Sequence, residues 1–143
     1  MNTKQINNIE FQKAIKVAFD GDEKIYNLYC PNIKVESVND IVKDISHRIW
    51  KGEENAIIKG VYDKGELIGY YVYRDHLLIS FGLNVQYRVR KYLREFYSSI
   101  KKELGGHFTC FLWTRNVRGI KWLIKNGCGI VEQNNLITHL ITD

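Results

Sequence analysis

Four basic side chains, Arg88, Arg90, Lys91 and Arg94, fall within one seven-residue stretch, where a strand-like run passes into a helix-like one. Cations gathered at a helix start, beside main-chain N–H groups that no carbonyl of the helix can satisfy, are suited to holding phosphate oxygens. Tyr87, immediately before Arg88, sets an aromatic face next to a cation. That pair could clasp an adenine and its phosphate, or it could simply end the strand. The same cluster also fits the solvated face of an amphipathic helix.

The other reactive side chains do not gather in the sequence. Cys30, Cys110 and Cys128 are odd in number and widely spaced, with no C-x-x-C, which argues against a disulfide framework and a zinc site. His47, His76, His107 and His139 are equally scattered, and no metal is expected. Cys110 sits in an alternating, strand-like run and reads as a small buried hydrophobe.

The charge is unevenly placed. The whole chain of 143 residues carries 21 Lys and Arg against 16 Asp and Glu, a net +5. The first 75 residues hold 11 basic and 12 acidic side chains and the last 68 hold 10 and 4, so the positive excess lies entirely in the second half. Such a field concentrates phosphates, nucleic acid or an acidic protein surface without choosing among them. With 45% apolar and 26% charged residues the composition is that of a globular chain long enough to bury a real core. No apolar run reaches the roughly 20 residues of a membrane span. The polar start MNTKQINNIE is unlike a signal peptide, so a soluble, cytoplasmic protein is expected.

The elements that must position the basic turn follow from periodicity. Phe11, Ala14, Ile15, Ala18 and Phe19 form a helical stripe that Asp20-Gly21-Asp22 stops. Lys24 to Glu36, interrupted by Pro31, reads as loop or short strand. A second helix opens at Ser37, with Asp40 placed to cap and Val38, Ile41, Val42, Ile45 and Ile49 as its stripe, and ends at Lys51-Gly52. Residues 55–63 and 66–74 make a hairpin, and residues 76–85 make a third strand beside it. Then come a helix over residues 89–104 closed by Gly105-Gly106, a strand over 107–114, a helix over 117–126 capped by Gly127, and strands over 130–133 and 136–141. The expectation is one α/β (α+β) domain over residues 1–143, its first 54 residues helical and the rest a mixed, mostly antiparallel sheet, with about four flanking helices in all.

These residues carry a family likeness. GVYDKGELIGYYVY, LNVQYRVRKYLREFY and NVRGIKWLIKNGC, taken in order, resemble the second and third strands, the cofactor-binding turn and the later helix of the GCN5-related N-acetyltransferase (GNAT) superfamily. The likeness runs from Gly60 to Gln133 and leaves the N-terminal third unexplained, with a helix and no first strand before it. It implies acetyl-coenzyme A as cofactor. Leu83, Val85, Arg88, Arg90, Lys91 and Asn116 are the implied binding positions, main-chain groups around Leu83 to Val85 serving the pantetheine arm.

Both chemical motifs depart from the family pattern. Where members have R-x-x-G-x-G or -A, this chain reads RVRKYL, with Lys91 and Leu93 at the glycine positions that let main-chain amides approach a pyrophosphate. Where members have a tyrosine that acts as general acid, Leu123 stands, and Leu123 moves no proton. A general acid contributes roughly 10²- to 10⁴-fold. The strand HLLISFGLNV offers only His76 and Ser80 as bases for an amine.

A second resemblance is to small GNAT-like proteins of short-tailed bacteriophages, including an internal virion protein. Their pattern N-x-x-x-I-x-[FW]-L-x-x-x-G-[AC] is matched by Asn116, Ile120, Trp122, Leu123, Gly127 and Cys128. It implies a virion or assembly component, in the host cytoplasm or the particle, with a protein partner and little or no acetyl transfer. An active acetyl-coenzyme-A-dependent N-acetyltransferase and a nucleic-acid-binding protein are the alternatives.

Overall fold

The computed structural model describes residues 1–30, 33–52 and 55–143. The first helical stripe becomes α1, Asn8–Phe19, with Phe11, Ala14, Ile15, Ala18 and Phe19 all buried. Asn7 caps it by accepting from the Glu10 amide at 2.9 Å. The helix read from Ser37 onward is α3, Val38–Gly52. Its start is fastened by Asp40, whose carboxylate accepts from the amides of Glu36 at 2.9 Å and Ser37 at 3.1 Å. Those two bonds hold the Asp40 carboxyl below its ordinary pKa.

Two N-terminal readings are corrected. Asn2–Gln5 is a strand, β1, paired antiparallel with β2, Ile57–Asp63. It is polar and exposed on an outer edge, so it has no apolar alternation to betray it. Between α1 and α3, residues Glu23–Tyr29 form a helix, α2, not a loop or strand. It buries only Tyr26 and leaves Leu28 in solvent, which is too little for a stripe. Pro31 and the boundary drawn after residue 54 lie outside the described residues. With α4 and α5 the described helices number five, one more than expected.

The hairpin is β2 and β3, Glu66–Arg74, turning through Lys64 and Gly65, both at positive φ. β4, Leu77–Leu83, follows, then a single 3-10 turn at Val85–Tyr87 and α4, Arg90–Glu103. The chain crosses over to β5, Thr109–Trp113, and continues through α5, Val117–Lys125, to β6, Gly129–Gln133, and β7, Ile137–Ile141. The described strands form one sheet in the order β1-β2-β3-β4-β5-β7-β6, antiparallel except where β4 meets β5.

Side chains alternate across this sheet and separate two cores. Tyr70 and Val72 face α1 and α3, while Tyr71 and Ile68 lie in the cluster with Phe96 and Ile100 of α4 and Ile120 and Leu123 of α5. Each fully buried Ile or Phe contributes roughly 1.5–3 kcal/mol. Gly82 lets α1 sit close, since a Cβ there would come within 2.9 Å of Ala18 Cβ.

Candidate functional site

β4 and β5 pair only through Leu77 with Thr109 and Leu78 with Cys110, although β4 runs on to Leu83 and β5 to Trp113. The parting starts at a bulge. Val72 pairs with Ser80 and Tyr73 with Leu78, which leaves Ile79 as an extra residue on β4. Beyond it opens a cleft of about 510 Å³. Phe19 and Tyr29 approach it from α1 and α2, and Leu93, Phe96 and Trp122 approach it from α4 and α5.

The structure divides the sequence-derived residues. Leu83, Arg88 and Asn116 line the cleft. Val85, Arg90 and Lys91 lie exposed on the 3-10 turn and the first turn of α4, away from its wall. Arg88 turns inward. Its Nε donates to the Leu83 carbonyl at 2.7 Å, Nη2 donates to the Ala18 carbonyl at 2.8 Å, and both terminal nitrogens bond the Asp22 carboxylate. Tyr87 parts from Arg88 and meets Tyr92 edge-on, with ring centres 5.0 Å apart.

Asn116 caps α5, its Oδ1 accepting from the Gly119 amide at 3.1 Å. Gly119 makes room for this, since a Cβ there would lie 2.9 Å from Asn116 Nδ2. Leu123 is 0% exposed and belongs to the core, while Trp122 takes the cleft wall. Trp122 stacks on Phe96 at 5.5 Å and donates from Nε1 to the Leu93 carbonyl at 3.3 Å.

Of the two candidate bases, Ser80 lines the cleft and shares a 2.8 Å hydrogen bond with the buried Tyr70 hydroxyl. His76 sits at the other end of β4, its Nδ1 2.7 Å from the Leu104 carbonyl oxygen and its ring stacked on His107 at 4.1 Å. Cys110 is buried, and burial pushes its thiol well above the ordinary range.

The sequence reading missed the polar groups on the far wall. Tyr26 donates to Asp44 at 2.7 Å, and Arg48 pairs with Asp44 at 3.2 Å. Tyr29 stands close to Tyr26, ring centres 5.3 Å apart. Burial first, and then the Asp22 carboxylate, raise the Tyr29 phenol above its ordinary pKa, so it stays protonated at neutral pH. These residues come from α2 and α3, and only the fold brings them to β4. Asp22, at the turn that stops α1, was legible as a stop signal and not as a partner.

Coenzyme A would ask two things of this cleft: main-chain partners for an extended, amide-bearing arm, and donors for a pyrophosphate. The facing edges of β4 beyond Leu78 and of β5 beyond Cys110 have no strand between them, which suits the arm. At the phosphate end, Val89 gives α4 no side-chain cap, so the first-turn amides keep their donors, and Arg90 and Lys91 add charge. Arg88 is already engaged, and side chains stand at positions 91 and 93. The residues fit the arm; the phosphate end has charge without a glycine-lined approach.

No protein-family model and no curated protein sequence matches this chain. Solved structures do. The PaiA N-acetyltransferase of Thermoplasma acidophilum, in complex with coenzyme A, superimposes with a TM-score of 0.65 over 99% of this chain and 98% of its own, at 16% identity. An acetyltransferase from Thermus thermophilus gives 0.71 over 98% and 94%, at 10% identity. The spermidine N-acetyltransferase of Vibrio cholerae, in complex with coenzyme A and spermine, gives 0.63 over 98% and 93%, at 9% identity. The overall arrangement of sheet and helices is thus shared with proteins of almost unrelated sequence, and the chain has the fold of the GCN5-related N-acetyltransferases.

Proposed function

We propose that this is a GNAT-fold protein kept for binding, with little or no acetyl transfer, and that it serves as a virion or assembly component of a bacteriophage. The observation that carries the first part is the face α5 turns to the cleft. Trp122 fills it while Leu123 is buried, so the helix offers no proton to a departing thiolate. The engagement of Arg88 with Asp22 supports the same reading, because a phosphate would have to compete with a carboxylate already in place. The phage assignment rests on the pattern from Asn116 to Cys128.

One observation favours the alternative, an active acetyl-coenzyme-A-dependent enzyme. The cleft persists at about 510 Å³, and Tyr29 lines it with a phenol hydroxyl. In that reading bound acetyl-coenzyme A supplies the acetyl thioester. Main-chain groups of β4 near Leu83 would hold the arm, Arg90 and Lys91 would hold phosphate, and the Tyr29 hydroxyl would give its proton to the departing thiolate and regain one through water from the acetylated amine.

Isothermal titration with acetyl-coenzyme A, run beside 3′-dephospho-coenzyme A, separates the two. The proposal expects no saturable heat below millimolar ligand and no acetylation of a panel of amines. Micromolar binding that weakens without the 3′-phosphate, together with turnover lost in Tyr29→Phe, would overturn it.

A further inference from the structure

The two faces of the sheet differ in charge, and the difference is concentrated on α4 and α5. Residues 115–125 hold Arg115, Arg118, Lys121 and Lys125 and no acidic side chain, and all four of these cations are exposed. Lys121 and Lys125, four residues apart, share the outer surface of α5, and Arg118, a turn before Lys121, stands where that surface meets the cleft. α4 lies alongside, joined through the Trp122 contacts to Leu93 and Phe96. Its outward residues include Arg90, Lys91 and Arg94. The two acids of α4 are turned aside, Glu95 toward the chain's terminal ammonium at 3.9 Å and Glu103 to Lys59 at 2.8 Å. Among the described residues, none of these seven cations has a carboxylate within 4.0 Å. On the opposite face α1 and α3 mix signs, with Glu10, Lys13 and Lys16 on one and Asp40, Lys43 and Asp44 on the other.

We infer that the joint outer face of α4 and α5 is a docking surface for the phosphate backbone of nucleic acid, read without regard to sequence. A protein partner is the weaker fit, because protein interfaces centre on apolar and aromatic anchors and shed charge, whereas nucleic-acid interfaces are strongly positive. A membrane surface is also a weaker fit. Peripheral helices press Trp, Phe or Leu into lipid, and here Trp122 and Leu123 point inward. Only Val117 and Ile124 break the charged surface of α5, each about half exposed. The surface borders the cleft, since Arg118 lines it and Arg90 and Lys91 stand at its phosphate end, but Lys121 and Lys125 line no part of it, so substitutions at these two probe the surface apart from the cleft.

The test is fluorescence anisotropy with a labelled 30-base-pair duplex of mixed sequence and a second duplex of scrambled sequence. Both should bind alike. For about four phosphates neutralised, affinity should fall on the order of 100-fold between 50 and 200 mM salt, as counterion release requires. Lys121→Glu with Lys125→Glu should weaken binding by at least roughly tenfold, two cations being lost and two anions added. Lys13→Glu with Lys16→Glu makes the same change in net charge on the opposite face and should weaken it far less. Melting curves establish that each variant is folded; if the glutamate pair is not, Lys121→Gln with Lys125→Gln is read in its place, with a smaller loss. No binding at 50 mM salt, equal losses from the two faces, or tighter binding to polyglutamate or to phosphatidylserine vesicles than to the duplex would each overturn the inference.

Discussion

The Arg88 guanidinium closes on the Asp22 carboxylate through two contacts, tying the end of the β4 crossover to the α1–α2 turn across 66 residues of sequence. The side chains are 19% and 9% exposed, so the pair is largely withdrawn from water. Removing one partner strands the other, at a cost of about 3 kcal/mol. Arg88→Ala should lose about that much in urea unfolding, and Asp22→Asn with Arg88→Met should lose less than Arg88→Ala alone. A loss under about 0.5 kcal/mol for Arg88→Ala would mark the pair as an ordinary surface one.

At the start of α5, Asn116 and Gly119 are coupled by contact. Asn116→Ala removes the cap and should cost about 1 kcal/mol. Gly119→Ala gains about 1 kcal/mol of helix propensity but pushes the capping side chain away, so alone it should be close to neutral. In the Asn116→Ala background nothing remains to displace, and Gly119→Ala should stabilise by about 1 kcal/mol. Additive effects in the thermal-melting cycle would show that the clash is relieved by a small rotation of Asn116.

All three cysteines are buried and none is in a disulfide. In the folded protein a thiol reagent at neutral pH should label none of them rapidly, and burial also raises the Cys110 and Cys128 thiols away from the thiolate that reacts. Three equivalents should react at once in denaturant. Fast labelling of Cys110 under native conditions would contradict its place between β4 and β7.

Asp40 gives the start of α3 a dependence on pH. Its folded pKa lies below the ordinary 3.8, lowered chiefly by the amides of Glu36 and Ser37. Its contribution is therefore complete above the ordinary value and is lost as pH falls from there through the depressed one. Asp40→Asn should flatten that part of the acid-unfolding curve. An unchanged curve would mean that the two bonds persist in the unfolded chain or do not matter to it.

What could be read from sequence was whatever a local period records. The stripes of α1, α3 and α4, the Lys64-Gly65 hairpin and the parallel crossover all leave apolar or turn residues at fixed spacings. β1 does not, because Asn2–Gln5 is held by main-chain bonds to an open edge of β2 and buries no side chain to signal it. α2 was hidden for the same reason, with Tyr26 alone turned inward. The cleft was half legible. Leu83, Arg88 and Asn116 were found because they sit in recognisable patterns. Asp22, Tyr29 and Arg48 reach it from the α1–α2 turn, from α2 and from α3, and no spacing in the sequence links them to β4, so only the tertiary structure assembles them.

The seam between β4 and β5 also makes a mechanical joint. The strands behave as two ribbons riveted at one end, β1 to β4 on one side and β5, β7 and β6 on the other, with the rivet at Leu78 and Cys110. Spreading the free ends breaks no ladder bond, so the amides of β4 beyond Ile79 that face the split rather than β3 should exchange with solvent by local opening well below the free energy of global unfolding. An extended occupant of the split would pin the ribbons together and lose affinity to the freedom it removes. The grip on any ligand is thereby set partly by two buried side chains at the rivet, outside the lining of the cleft.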